Sequence, residues 1–292
     1  MSCLGRALAT LEQVKEMIMC DRTMDKYLAE TVYCDTGHRE VRDMALEIAG
    51  GAKGDREKAV ALFYWVRDSI IYRVGHWNRK ASETLYEREG TCTNKANLLV
   101  AFLRVHGIPA GYGLLRVDGR NYWGPATPPV LAKHVGQVSN HLYAAVYLDR
   151  WLAVDPSDDR YLCENIGYIN PTATLLEWDG TGDARIPLNG AHVFQDRFPL
   201  ADVDHIIRKR PRNVTGIRLS VCNVFIKYLR ETKQPFITPQ EVETAFLRHL
   251  QSHHPLYYRS LMTASVYKDM TDALRETLGG VAARGRIRGR LM

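Results

Sequence analysis

Residues 88–110 constrain the fold of this chain more than any other stretch. Arg88-Glu89-Gly90-Thr91-Cys92-Thr93-Asn94-Lys95-Ala96 runs from a glycine-containing loop straight into a strongly helical segment. Ala96, Leu99, Val100 and Leu103 recur at helical spacing and form one apolar stripe. Gly107 stops the helix, and Ile108-Pro109 leads the chain out extended. Thr91 or Thr93 can cap its start. A helix so bounded must pack its stripe on a core, and it carries the Cys92 thiol in its first turn. Unpaired N–H groups and the positive end of the helix dipole stabilise an anion there, and the thiolate is the reactive form of cysteine. Cys3, Cys20, Cys34, Cys163 and Cys222 have no comparable loop-to-helix setting.

Two downstream segments supply partners for a thiol. Leu142 to Leu148 is apolar and aromatic, Asp149-Arg150 reads as a two-residue turn, and Trp151 to Val154 is a second apolar run. That pattern predicts an antiparallel hairpin in which Tyr147 back to Asn140 pairs with Leu152 onwards. His141 and Asp155 then fall on neighbouring strands near the same end. An aspartate in that place accepts from one imidazole nitrogen and leaves the other for a thiol. The plainer reading makes His141 a core histidine satisfied by a carbonyl, and Asp155 the first residue of an Asp-Pro turn. Nucleophile, base and orienter together favour a Cys92–His141–Asp155 triad.

These residues resemble a known family. Gly90-Thr91-Cys92, Lys95-Ala96, Leu98-Leu99, Leu103-Arg104 and Gly107-Ile108-Pro109-Ala110 look like the core motif of the transglutaminase-like superfamily, related to the papain-like thiol proteases. Asn140-His141 and Tyr147-Leu148-Asp149-Arg150-Trp151-Leu152-Ala153-Val154-Asp155-Pro156 are similar to its histidine and aspartate strands. The resemblance covers about residues 55–160. Leu142-Tyr143 departs from the aromatic or valine usual after the histidine. The resemblance implies an α+β fold in which the nucleophile helix packs on an antiparallel sheet. It also implies an acyl-enzyme mechanism through the triad. The superfamily includes protein cross-linkers, peptidases, glycan-releasing amidases and inactive binding proteins. One branch of similar size holds the thiol-protease-like Dieckmann cyclases of polyketide–peptide pathways, which release a carrier-bound chain as a tetramate-type ring. This chain resembles that branch. Amide or peptide hydrolysis and transamidation are the alternatives, and a non-catalytic binding module is a further one.

Composition bounds these options. The chain has 292 residues, 46% apolar and 25% charged, enough to bury a full core. It divides on pattern into an N-terminal helical segment (1–54), a catalytic core (55–212) and a C-terminal helical extension with a basic tail (213–292). Residues 1–50 read as helical, 56–70 as a helix, 75–90 as a connection and 109–117 as a strand. Helices are expected near 216–231, 238–252 and 256–278. Thr238-Pro239-Gln240-Glu241 is a capping box with proline at the first helical position. Trp77 is either core filler or a wall of the acyl pocket. Tyr122, Trp123 and the Gly- and Pro-rich stretch to Asn140 suit a cover over the site, or plain core.

Of the net +6, four charges are Arg284, Arg286, Arg288 and Arg290 in the tail, and Arg208, Lys209, Arg210 and Arg212 cluster around Pro211. The second cluster suits a solvated loop or an acidic partner such as a carrier protein. No nucleic-acid signature accompanies it, so no nucleic-acid partner is expected. His249, His253 and His254 have helical ligand spacing but lack a completing carboxylate or cysteine, so neither metal nor cofactor is expected. No run of 18 apolar residues and no basic-then-apolar leader is present, and a free nucleophilic thiol suits a reducing cytoplasm.

Overall fold

The computed structural model describes residues 24–123, 127–166, 175–185, 190–209, 217–232, 236, 238–266 and 268–270. In chain order the elements are α1 (Arg39–Ile48), α2 (Asp55–Ser69), β1 (Ile71–Tyr72), α3 (Ala81–Glu87), β2 (Glu89–Gly90), α4 (Cys92–Val105) and β3 (Ala110–Asp118). Then come α5 (Gly119–Trp123), α6 (Pro129–Ala132), β4 (Val138–Tyr147), β5 (Trp151–Val154), α7 (Arg160–Ile166), β6 (Val193–Leu200), α8 (Asp204–Lys209), α9 (Ile217–Glu231) and α10 (Pro239–His253). They form two compact units. Of the described residues, those within 24–116, 140–160 and 175–209 belong to one, and those within 117–139, 161–166 and 217–270 to the other.

The first unit is built on α4. Residues 92–104 of this helix are all buried, so it is enclosed on every side rather than along one stripe. What closes the polar sides is hydrogen bonding to distant carbonyls. Asn94 Nδ2 donates to Trp77 O (3.1 Å), Asn97 Nδ2 to Tyr33 O (2.6 Å), and Lys95 Nζ to Arg67 O (2.9 Å) and Ile70 O (2.7 Å). Arg104 donates to Ala29 O, to Ala110 O (3.0 Å) and to Ala201 O (2.7 Å). A buried polar group without a partner costs free energy, and here each serves as an anchor for another segment. Gly107 ends the helix at φ +73°, with Ile108 N–H returning to Leu103 O (3.0 Å), the six-to-one bond of a Schellman cap.

A four-stranded sheet in the order β5-β4-β3-β6 completes the unit, and a two-stranded parallel pair joins β1 to β2. The fold is therefore α+β. The β4–β5 hairpin pairs Tyr147 with Trp151, Val146 with Leu152, Ala145 with Ala153 and Ala144 with Val154. This shifts the sequence-based register by one residue, because Leu148 joins Asp149 and Arg150 in the loop, where its N–H reaches Arg150 O (3.2 Å). The shift matters, because strand residues alternate faces. Odd-numbered residues oppose odd-numbered ones, which continues to Tyr143 opposite Asp155 and puts His141 and Asp155 on the same face.

Two further expectations need correction. The stretch read as helical to residue 50 holds a 3₁₀ turn (Asp25–Tyr27) and turn-rich chain before α1 begins, while residues 1–23 lie outside the described residues. The 75–90 connection contains α3 and β2.

The second unit is mostly helical. Thr238 caps α10 by accepting from Glu241 N–H (3.2 Å), Glu241 returns the bond to Thr238 N–H (3.2 Å), and Pro239 occupies the first turn. Phe225 of α9 meets Phe246 of α10 edge to face at 4.9 Å, over buried Val242 and Leu250. Residues 255–266 are helical again. The basic tail lies outside the described residues.

Candidate active site

The start of α4 is held from three directions. Thr91 Oγ1 accepts from Asn94 N–H, and Asn94 Oδ1 accepts from Thr91 N–H (3.0 Å) and from the Thr91 hydroxyl (2.9 Å), a capping box closed by asparagine. Asn94 Nδ2 ties this cap to the main chain at Trp77. Gly90 is required by close approach, since a Cβ there would lie 2.8 Å from Asn94 Cβ and 3.3 Å from Thr84 Cγ2. The result fixes Cys92 as the first helical residue, with its Sγ 3.9 Å from Thr93 Oγ1.

His141 on β4 and Asp155 just past β5 meet Cys92 in the same buried place. His141 Nε2 lies 2.6 Å from Asp155 Oδ2, and Cys92 lies within electrostatic reach of the same imidazole. The three residues are 3% (Cys92), 2% (His141) and 3% (Asp155) exposed. Burial alone would push His141 down, but the Asp155 carboxylate and Cys92 outweigh it and hold the imidazole well above its ordinary pKa. Burial likewise opposes ionisation of Asp155, yet His141 and Ser157 together bring its pKa below the usual carboxylate value. Asp155 Oδ1 accepts from Ser157 N–H (3.0 Å) and from the Ser157 hydroxyl. Its main-chain N–H is fixed on Ala184 O (2.7 Å).

Further charged groups surround this chain of contacts. Asp159 accepts from Tyr72 N–H (2.9 Å), tying the end of β5 to β1. Asp158 is only partly buried, yet desolvation first, then the neighbouring Asp155 charge, raises its pKa to about 6 against the pull of Lys95 and His141. Lys95, one turn beyond Cys92, is fully buried against the C-terminal carbonyls of α2.

The other residues singled out in the sequence fall as follows. Trp77 is buried, and its carbonyl holds the Asn94 cap. Asn140 is buried next to His141 on β4, so the two side chains project from opposite faces of the strand. Tyr122 and Trp123 lie on α5 in the other unit. Sequence reasoning passed over Asn94, Ser157 and Asp158. The Asp-Pro-Ser spacing of an Asx turn was the available signal for Ser157. Among the described residues no group of three or more His, Cys, Asp or Glu is placed to hold a metal ion.

Residues 42–156, which contain all three members of this site, match the Transglutaminase-like superfamily. The matched stretch is similar to that superfamily, and the α+β core described above is of the transglutaminase-like type. The chain is 33% identical over 85 residues to an uncharacterized protein of Mycobacterium tuberculosis, covering 27% of this chain and 25% of that one. It is 28% identical over 157 residues to an uncharacterized protein of Mycobacterium leprae, covering 53% of each. It thus spans between a quarter and about half the length of these relatives. Among solved structures, a candidate cysteine protease from Cytophaga hutchinsonii aligns at a TM-score of 0.37 and 20% identity, over 48% of this chain and 44% of that one.

Proposed function

We propose that this protein is a cysteine-dependent acyl-transfer enzyme in which Cys92 is the nucleophile, His141 the proton carrier and Asp155 the orienting carboxylate. The observation that carries this reading is the buried line Cys92–His141–Asp155, closed by the 2.6 Å contact between His141 and Asp155. Cys92 Sγ bonds to the carbonyl carbon of an acyl donor, and the carbonyl oxygen takes up the displaced electron pair. The Cys92 main-chain N–H at the helix start is one donor to that developing charge, and the Trp77 indole N–H is the candidate for a second. Collapse re-forms the carbonyl and breaks the bond to the leaving group, which departs with the proton of His141. A thioester to Cys92 remains.

Near-complete burial of the three residues bears on what resolves that thioester. Water has poor access, so an attack from within the bound acyl chain has the advantage, with effective molarities of about 10⁵–10⁸ M in favourable cases. The specific reading is therefore Dieckmann release of a carrier-bound polyketide–aminoacyl chain. His141 takes a proton from the methylene between two carbonyls, and the carbanion bonds to the thioester carbon. The Cys92 thiolate leaves and a tetramate-type ring is freed. A carrier protein is the partner this chemistry implies. The test is a β-ketoacyl-aminoacyl thioester of N-acetylcysteamine incubated with the purified protein, the products being separated and the acyl-enzyme mass mapped. The expected outcome is a cyclic product that requires Cys92. Linear acid alone, with efficient cleavage of simple amides, replaces cyclisation by hydrolysis. Turnover that survives Cys92→Ala overturns acyl transfer altogether.

A further inference from the structure

We propose that Ser157 is a positioning residue that decides which oxygen of Asp155 faces His141, an assignment that rests on the acyl-transfer reading above. A carboxylate rotates easily about its last torsion, and either oxygen could take the imidazole N–H. Here the choice is made. Asp155 Oδ1 receives both the Ser157 N–H (3.0 Å) and the Ser157 hydroxyl, which leaves Oδ2 to His141 at 2.6 Å. All three side chains are buried, so no solvent competes for these donors. Pro156 fixes the main-chain torsion between them, and Asp155 N–H is itself bonded to Ala184 O (2.7 Å). The two Ser157 donors also favour the ionised carboxylate, the form needed to steady an imidazolium.

The backbone bond from Ser157 closes the Asx turn whether or not the hydroxyl is present. Ser157→Ala therefore removes the hydroxyl donor and leaves the turn. Two readouts follow, turnover of a short-chain acyl N-acetylcysteamine thioester and the pH profile of Cys92 alkylation by iodoacetamide. In Ser157→Ala, kcat is expected to fall about 10–100-fold, the span for losing a hydrogen bond to a charged group, with KM almost unchanged. The acid limb of the alkylation profile moves to higher pH, because Asp155 protonates more readily without the donor. Ser157→Thr restores both. If Ser157→Ala does not fold, the isosteric pair Ser157→Thr and Ser157→Val makes the same comparison. An unchanged acid limb, or a loss that Ser157→Thr does not rescue, makes Ser157 a turn residue only and overturns the assignment while Cys92→Ala remains inactive. Should Cys92→Ala keep its turnover, the acyl-transfer reading fails and this assignment with it.

Discussion

Cys34 and Cys92 are both free and buried, in different surroundings. Burial pushes the Cys34 thiol up to about 11, only partly relieved by Arg104 and by the hydroxyl of Tyr112, so Cys34 is poorly nucleophilic at neutral pH. Cys92 instead lies in the first turn of α4 beside an imidazole that holds its proton. A limiting dose of iodoacetamide at pH 7 is expected to label Cys92 before Cys34 and Cys163, and before Cys222, the more exposed of the described cysteines. Peptide mapping checks this, and a first adduct on Cys163 or Cys222 would remove Cys92 from the nucleophile's role. The His141–Asp155 contact makes a second expectation at this scale. His141→Ala abolishes turnover, while Asp155→Asn keeps the fold, shown by an unchanged circular dichroism spectrum, and lowers kcat by roughly 10²–10⁴ through the wrong tautomer or orientation. Normal turnover in Asp155→Asn would confine Asp155 to its turn.

Elements are positioned here by polar side chains as much as by apolar ones, and α4 shows how. Lys95 donates to two carbonyls at the end of α2, where the helix supplies no partners of its own and the dipole is negative. Lys95→Met fills a similar volume but leaves those carbonyls without that donor. The expected loss is on the order of 2–4 kcal/mol, seen as a lower midpoint in chemical denaturation together with slower alkylation of Cys92. A Lys95→Met protein as stable as the wild type would show that packing alone seats the helix. This anchoring is the part of the fold that the sequence concealed. Periodicity registers apolar residues, so it found the Ala96–Leu103 stripe and the caps of α4 and α10. It could not register how Asn97 reaches the carbonyl of Tyr33, 64 residues away, or how Arg104 reaches that of Ala201, 97 residues away. The hairpin was legible, and with it the nearness of His141 to Asp155. Its register was off by one, since the loop length depends on how Leu148 bonds to Arg150 and not on turn-forming residue types. Helix α3 and the two-residue pair β1–β2 were hidden for a related reason. They are too short to show a period, and α3 owes its place to α4 and to the Asp35 carboxylate, which accepts from Ser82 N–H (3.1 Å).

Over the whole molecule the two units carry pH terms of opposite sign. In the second unit, His249 stacks on His253 at 4.6 Å, and burial, then the charges of His253 and His254, lowers its pKa. A depressed base contributes stability above its unfolded value, near 6.5, that is lost as pH falls through the folded value. In the first unit, His141 is raised, so its contribution is complete below its unfolded value and is lost as pH rises through the folded one. Asp158 acts in the same direction. Its pKa moves from 3.8 unfolded to about 6 folded, so the native state holds a proton over that window that the unfolded chain has released. Stability therefore falls as pH rises from about 4 to 6, and above that range an ionised Asp158 opposes folding beside Asp155. Asp158→Asn keeps the shape and removes the charge. At pH 8 it is expected to raise the unfolding midpoint of the first unit by a few degrees, corresponding to roughly 1 kcal/mol after allowing for partial exposure of the carboxyl. At pH 4 the wild-type group is already protonated in the native state, and the difference should vanish. Differential scanning calorimetry of both proteins across this range makes the comparison. An equal gain at both pH values would mean that the substitution acts through packing and that Asp158 carries no strained charge.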